Sequence, residues 1–473
     1  MVRALTPLAL ALLSACSLAP AYQVPPIETA AQYRNVGPWT PAQPADQMSR
    51  DGWWAIYHDS RLNALQQQLA ANNPDLSAAL AHYAQAQAYL AQVRSDLFPL
   101  LKGFANPQRI RQSDTRPLRA TGGPSDYNSV TVGVEVDYEV DLWGRVRNSV
   151  NAGTDEAQAA AADLASARLS LQTQLTDNYI RLRGLDQQTQ LLTATTEAFG
   201  KALSLTEGLH GGGIVSGLDV ARARTQLSSA KSQLSQNQTQ RALMEHAIAA
   251  LVGAQPAQFS LPMDTARIEL PVVPTGVPSA LLQRRPDIAA AERRVAEANA
   301  KIGIARAAYF PTITLSPQIG YQSDQYAGLL AAPNLFWSIG PSLVATLLDG
   351  GKRKAGVDAA RAATDEAAGH YRSVVLGAFQ QVEDNLTLIA GLGNALQDQR
   401  DAASAAHDSE SLALSRYKDG AVGYLDVVEA QTASLQAQSG VLDLQTRQLS
   451  ANVQLVKSLG GGWSTEQNAQ AER

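Results

Sequence analysis

The chain has one cysteine, Cys16, so no disulfide within a single molecule supports its fold. Beyond Cys16 it has no run of 18 or more uncharged apolar residues. That excludes a transmembrane helix, which needs about 20 of them. Any passage through a bilayer would have to be made by a closed β-barrel. A basic cluster is also missing: 38 Lys and Arg stand against 43 Asp and Glu, scattered over 473 residues with a net charge of −5. Nucleic-acid binding needs a basic face, and so does electrostatic attachment to anionic lipid. The six histidines, at 58, 82, 210, 246, 370 and 407, are isolated from one another, with no HExxH and no Cys/His metal spacing. Leu348-Asp349-Gly350-Gly351-Lys352-Arg353 lacks both the leading Gly and the Ser/Thr after Lys of a phosphate loop. No Gly-x-Ser-x-Gly occurs in a strand-turn-helix setting. The inventory points away from an enzyme, and no cofactor is expected.

The one cysteine is placed informatively. Met1-Val2-Arg3 is a short basic start, residues 4–13 are apolar, and Ser14-Ala15 precede Cys16. This is a secretory signal peptide, too short to span a bilayer. Leu13-Ser14-Ala15-Cys16 resembles a bacterial lipobox, which implies cleavage before Cys16 and acylation there. Ser17, rather than Asp, follows, which in such lipoproteins favours the outer membrane. Each buried acyl methylene would add about 0.8 kcal/mol to anchoring. The alternative is an ordinary secreted protein with a chance cysteine beside the cut.

The chain repeats itself. Residues 74–99 run from Pro-Asp-Leu to Phe-Pro, and residues 286–311 run from Pro-Asp-Ile to Phe-Pro, 212 positions later. Residues 213–220 (GIVSGLDV) match 420–427 (GAVGYLDV), 207 positions later. Two copies of one unit follow, each with the order helix, strand pair, long helix, tight turn, long helix, joined by a Pro-rich stretch. Residues 155–183 and 218–252 contain neither Gly nor Pro and are dense in Ala, Gln and Leu, a strong helix signature. Residues 355–417 and 425–459 read likewise, with a few glycines. Helices of such length need continuous side-by-side packing, and their Ala, Ser and Gly allow close approach. Apolar singles and pairs leave Gln-, Asn- and Thr-rich faces, as a wall with one wet side would. Periodicity alone does not separate that wall from a long coiled-coil bundle.

The strands discriminate. From Val130 to Leu142 every even position is apolar, and the odd positions are Thr131, Gly133, Glu135, Asp137, Glu139 and Asp141. This is strict period-two alternation, longer than the ~9–11 residues of a tilted membrane strand. A soluble sheet with one solvated face would show it too. Alternation recurs over 312–322 and 335–347. A fourth strand near 100–112 is interrupted by Pro107. Tyr309, Phe310, Tyr326, Phe336, Trp337 and Trp143 fall near strand ends, where aromatic girdles lie. Four strands do not close a membrane barrel, which needs about eight or more, so the barrel must be shared between chains. Two, three or four chains satisfy that arithmetic.

The lipobox at Cys16, Trp53-Trp54 with Asp59-Ser60-Arg61-Leu62, the string Leu281-Leu282-Gln283-Arg284-Arg285-Pro286-Asp287-Ile288, and the turn from Arg416 to Asp426 resemble the TolC-like outer-membrane efflux proteins. Within these they resemble the NodT-type lipoproteins that serve resistance-nodulation-division pumps. The resemblance covers essentially the whole mature chain. It implies a mainly α protein with a transmembrane β-barrel: a homotrimer, four strands per protomer in a shared twelve-stranded barrel, and a long periplasmic α-helical barrel. It implies the partners too, a periplasmic membrane-fusion adaptor and an inner-membrane pump, with outer-membrane lipid around the barrel and no nucleic acid. The divisions expected are a signal peptide (1–15), a lipid-anchored arm (16–57), a first repeat (58–255), a Pro-rich linker (256–280), a second repeat (281–460) and a tail (461–473). The alternatives are the exit duct of type I protein secretion, against which the lipobox argues, and a periplasmic coiled-coil scaffold, against which the strands argue.

The resemblance places constriction rings at Leu425 and Glu429, which are i and i+4 and so share a helix face. A leucine ring blocks a pore by dewetting, and a carboxylate ring favours cations. Tyr417 matches a tyrosine that holds the closed state, and His210 is its repeat equivalent. Asp219 and Asp426, after Leu218 and Leu425, stand where capping of a helix start is an equal explanation. Thr432 stands where some relatives carry an arginine, and Arg222 is expected to replace it by pairing with Asp426 or Glu429. Arg284 and Arg285 are expected to fix the helix start at Pro286. Glu135, Asp137, Glu139 and Asp141 are expected to face the lumen and bias it towards cations.

Overall fold

The computed structural model describes residues 17–30, 33–34, 52–113, 115, 125–273 and 284–461. Cys16, Leu281, Leu282, Gln283 and residues 274–280 of the expected linker lie outside the described residues. The helices are α1 (Ser60–Asn72), α2 (Pro74–Ser95), α3 (Arg145–Gly211), α4 (Gly217–Leu251), α5 (Pro286–Ala307), α6 (Lys352–Lys418) and α7 (Tyr424–Ser458). The strands are β1 (Leu100–Arg111), β2 (Asp126–Glu139), β3 (Thr312–Leu315), β4 (Gln318–Ser323), β5 (Leu335–Ser338) and β6 (Pro341–Val344). The order in each half is helix, strands, 67-residue helix, turn, 35-residue helix. Helix α3 begins ten residues before the Gly- and Pro-free run and absorbs Gly184, Gly200 and Gly208. Gly184 is there for a tertiary reason: a methyl on it would strike the Thr446 side chain of α7.

The chain divides into two compact units, each discontinuous in sequence. One comprises Met1–Pro26, His82–Ala161 and Ala290–Arg372 and holds the sheet. β1 pairs antiparallel with β2 along its whole length, Pro107 opposite Val130. Proline, which has no N–H, is tolerated because β1 is an edge strand. β2 pairs on its other side with β4 and then β3, which form one line interrupted at Ser316-Pro317. There the Val136 N–H donates to the Pro317 carbonyl at 2.9 Å. β5 and β6 form the last line, paired to β4 and β3. The six strands are thus four lines, with β1 at one edge and β5/β6 at the other. β2 stops at Glu139, and Asp141 and Leu142 lie outside it. Beside the strand ends the Trp143 ring stacks on Phe310 at 4.7 Å, and its Nε1–H donates to the Pro311 carbonyl at 2.8 Å. Residues 17–22 lie along α5: Arg306 and Asn299 donate to the carbonyls of Leu18 and Pro20, and the Tyr22 hydroxyl donates to Glu292.

The other unit comprises Ile27–Ala81, Ala162–Ala289 and Ser373–Arg473. Its buried residues include Leu62, Leu65 and Leu69 of α1 and Leu175, Tyr179 and Leu182 of α3, with Trp53 1% exposed, and the Gln66 amide ties α1 to α3 by donating to the Gln172 carbonyl and the Thr176 hydroxyl, both at 2.9 Å. The Asp59-Ser60-Arg61-Leu62 motif has a local cause: the Asp59 carboxylate accepts from the N–H groups of Arg61 (2.9 Å) and Leu62 (3.0 Å) and caps α1. Arg183 is buried and donates to Asp59 (3.3 Å), Asp264 (2.8 Å), the Tyr179 hydroxyl (2.9 Å) and the Ala266 carbonyl (2.9 Å). It thereby ties the described part of the linker to α3. Arg285 forks onto Asp287 at 3.0 and 2.6 Å and also reaches the Ser458 carbonyl at 3.2 Å. It fixes the start of α5 as the sequence suggests.

Candidate functional site

Two features stand apart from the packing: the pair of helix turns, and the two faces of the sheet. The turns are the same object built twice. In the first, the N–H groups of Gly213 and Ile214 return to the carbonyls of His210 (2.9 Å) and Leu209 (2.9 Å). In the second, Gly420 and Ala421 return to Tyr417 (3.0 Å) and Arg416 (2.8 Å), 207 positions later. This paired closure needs a residue in the left-handed region just past the helix, and Gly213 (φ 75°) and Gly420 (φ 74°) supply it. Asp219 and Asp426 then cap the helices that follow. Asp219 accepts from the Ser216 N–H (3.3 Å) and hydroxyl (2.8 Å), and the Ser216 oxygen accepts from the Asp219 N–H (3.3 Å). The second cap is half of this, because Gly423 has no side chain: its N–H donates to Asp426 at 3.1 Å.

The turns differ in what they bury. Tyr417 packs with Tyr424, Val427 and Ala223, the two rings edge-on at 5.3 Å. Burial pushes the Tyr424 phenol up to about 12, with smaller contributions from Tyr417 and Asp219. The Tyr417 hydroxyl is buried without a hydrogen-bond partner among the described residues. His210, its repeat equivalent, is exposed, with Nδ1 2.8 Å from the Val215 carbonyl. Leu218, Leu425, Asp426 and Glu429 are exposed, and Leu425, Asp426 and Glu429 share one side of α7.

Arg222 departs from the expectation. Its guanidinium is 3.5 Å from Asp219, on its own helix, and makes no ion pair with Asp426 or Glu429. At i, i+3 the partner is already beside it, and reaching across two turns would cost a long side chain its freedom. The bridge between α4 and α7 is instead Gln226, whose amide donates to the Thr432 hydroxyl at 2.5 Å. Nothing in the local sequence marks that pair; the register of two helices about 200 residues apart creates it.

The register also defines the sheet faces. Val136, Val134 and Val132 stand opposite Leu101, Gly103 and Ala105 on one side. On the other side, Val134 and Val132 face Ile319 and Tyr321, which face Trp337 and Leu335. All lie on one face, and Leu101, Val134, Ile319, Leu335 and Trp337 are exposed there. The opposite face carries Thr131, Glu135 and Asp137 with Lys102, Asn106, Gln318 and Gln322. Phe336, expected in an aromatic girdle, lies on this polar face, opposite Gly320.

The acidic row is mostly neutralised. Asp137 is paired with Lys102 at 2.8 Å, and Glu139 accepts from Arg145 at 2.8 and 2.6 Å. Asp141 lies outside the strand and caps α3, accepting from the N–H groups of Val146 (3.2 Å) and Arg147 (2.9 Å) and from the Arg147 side chain. Of the four acids, Glu135 alone makes no ion pair among the described residues. Alternation marked the acids' side of the strand; their cations come from the neighbouring strand and from the helix start after it. Among the described residues no helix is long and apolar enough to cross a membrane.

Apolar residues along one face of β2 from Val130 to Tyr138, a β1 edge and a β5/β6 edge that lack a partner strand among the described residues, and, in the same chain, helices of 67 and 35 residues are the parts of a membrane channel that is part barrel and part helical. The profile described as Outer membrane efflux protein matches residues 65–254 and 277–461. The toluene efflux pump outer membrane protein TtgC of Pseudomonas putida is 32% identical over 98% of this chain and 96% of its own. The pyoverdine export outer membrane protein OpmQ of Pseudomonas aeruginosa is 31% identical over 98% and 97%. Among solved structures, the outer-membrane channel OprN superposes with a TM-score of 0.85 at 29% identity, covering 95% of this chain and all of that one. The open-state MtrE outer membrane channel of Neisseria gonorrhoeae gives 0.83 at 28%, over 94% and 98%. The chain belongs to the outer membrane efflux protein family, whose members are channels of efflux pumps rather than enzymes, and it works in the outer membrane.

Proposed function

We propose that three copies of this chain form the exit duct of a tripartite pump and passively conduct small molecules from a periplasmic adaptor, fed by a resistance-nodulation-division pump, to the exterior. The observation that carries this is the sheet: an apolar band across it from Val130 to Tyr138 of β2, bounded at one end by Arg109, Arg111, Asp126 and Asn128, with two edges that lack a partner strand among the described residues. Lipid accepts the face and rejects the edges, whose N–H and C=O groups would have no partners. Pairing β1 of one copy with the β5/β6 line of the next removes every edge, and three copies of four lines make twelve strands. In this reading residues 1–15 are a removed signal peptide, and Cys16 carries acyl chains within the arm 16–57. The repeats 58–255 and 281–460 build barrel and helical wall, and the linker 256–280 and tail 461–473 complete a belt.

The turns form the periplasmic gate. Leu425 and Glu429, exposed one helical turn apart on α7, make successive rings around the axis, with Leu218, Asp219, Arg222, Tyr417 and Asp426 shaping the hairpins behind them. Names such as toluene efflux and pyoverdine export among the relatives support small-molecule cargo rather than protein. The test is the mass and conductance of the detergent-extracted protein. A heat-resistant species of three-copy mass that forms ion channels in planar bilayers is expected. A monodisperse monomer, or a trimer that never conducts, would overturn the reading. Loss of palmitate labelling in Cys16→Ser tests the anchor.

A further inference from the structure

One row of the polar sheet face breaks the pattern. Phe104 stands opposite Gly133, Gly133 opposite Gly320, and Gly320 opposite Phe336, so the row across the sheet reads Phe-Gly-Gly-Phe. A methyl on Gly133 would come within 2.8 Å of the Phe104 ring, and one on Gly320 within 3.1 Å of the Phe336 ring. Both rings therefore lean inward over the glycine pair, one from each edge line, and both are half-buried there. Rows of polar side chains flank them: Asn106, Thr131 and Gln322 on one side, Lys102, Glu135, Gln318 and Ser338 on the other.

A ring over a strand glycine stabilises the strand, but that does not explain two facing glycines. The close approach of β2 and β4 requires both: a methyl on Gly133 would lie 2.5 Å from the Ile319 carbonyl oxygen, and one on Gly320 closer still to the Val132 carbonyl oxygen. The combination also produces a low apolar strip between polar rows of this face. Each ring has one side against the glycine backbone and the other towards the polar side of the sheet.

We infer that this row is a contact site for solutes in transit, selective for small amphipathic molecules that carry an aromatic ring beside a polar or cationic group. This rests on the trimeric-barrel reading, in which three such rows, inclined as the strands are tilted, make a band of six phenyl rings at two heights around the lumen. Twelve strands about 4.8 Å apart, tilted by about 40°, give a backbone diameter of ~24 Å, so a solute meets one ring at a time and not a plug. Ring faces attract aromatic groups and cations. Lys102, Glu135 and the amides of the flanking rows take up the polar part. Many weak equivalent sites admit a solute without trapping it, as conduction requires.

The experiment is single-channel recording of the full-length trimer in planar bilayers with benzyltrimethylammonium or butyltrimethylammonium as the probe. Stronger block of the wild type by the aromatic cation is expected. Phe104→Leu/Phe336→Leu, which keeps apolar bulk, should weaken that block about two- to five-fold and abolish the preference, and Phe104→Tyr/Phe336→Tyr should restore it. Wild-type channels that do not distinguish the two cations, or leucine variants of intact trimer mass that still do, would overturn the band alone. Wild-type trimers without channels in any salt would overturn the duct reading and the band with it.

Discussion

Tyr417 offers the sharpest test of how the hairpin turns hold together. Its ring closes a small cluster with Tyr424, Val427 and Ala223, while its hydroxyl is buried without a partner among the described residues. An unpaired buried hydroxyl costs about 1–3 kcal/mol. Tyr417→Phe should therefore leave the closed hairpin as stable as before, or steadier by about 1 kcal/mol. Tyr417→Ala removes the ring and its edge-on contact with Tyr424. Aromatic-to-alanine changes in a core cost about 3–5 kcal/mol. At a cluster near a helix end the lower figure applies, and 3 kcal/mol shifts the closed-to-open ratio by about 100-fold. The assay pairs single-channel conductance with uptake of an antibiotic too large for the outer membrane. Phe at wild-type leak and Ala far above it is the expected result. If Phe leaks as much as Ala, the hydroxyl makes a bond to a neighbouring copy, and packing is the wrong account of this residue.

Three further outcomes follow from the same geometry. Arg222→Ala breaks only an i, i+3 contact of 3.5 Å to Asp219, worth about 0.5 kcal/mol at most, so leak conductance should not change; a large rise would mean that Arg222 crosses to the other hairpin in the assembled protein. Glu135→Gln should lower the cation preference of the channel, whereas Glu139→Gln should change it little, because Arg145 already neutralises Glu139; reversal potentials in a salt gradient decide between them. Asp264 is held below the usual carboxylate range by the Ala266 N–H and then by Arg183. A carboxylate depressed on folding contributes stability that is complete above its unfolded value near ~4 and is lost as pH falls through the folded value. Melting between pH 5 and 2.5 should show that loss in the wild type and less of it in Asp264→Asn, and identical profiles would remove Asp264 from the linker's attachment.

Much of this is legible in the sequence, for local reasons. The GIVSGLDV and GAVGYLDV strings place the same glycine and the same aspartate at the same offsets, and a left-handed closure followed by an aspartate cap leaves little choice of turn. The Gly- and Pro-free stretches read as helices because each residue in them is a good helix former. The valine alternation separated the two sides of β2 because side chains alternate along any strand. The differences share a cause as well. The alternation runs three residues past the end of β2, because Asp141 continues it but is claimed by the N-terminus of α3. Nearness to a strand end suggests a girdle position for Phe336, and pairing with β4 turns it to the polar face. For Arg222 the sequence suggests a partner across the turns, and the nearest carboxylate is Asp219, one turn away on its own helix.

By itself, then, the sequence determined the repeat, the long helices, the two turns and the two-faced strands, because each is written in contacts between residues near one another in the chain. Only the tertiary structure decided which cation neutralises which acid, that Gln226 meets Thr432, that Tyr417 is buried while His210 is not, and that two phenylalanines from opposite edge lines each cover one of two facing glycines. Those depend on the register between segments up to about 230 residues apart, and register is set by the packing of the whole sheet and hairpin pair, which no local pattern encodes.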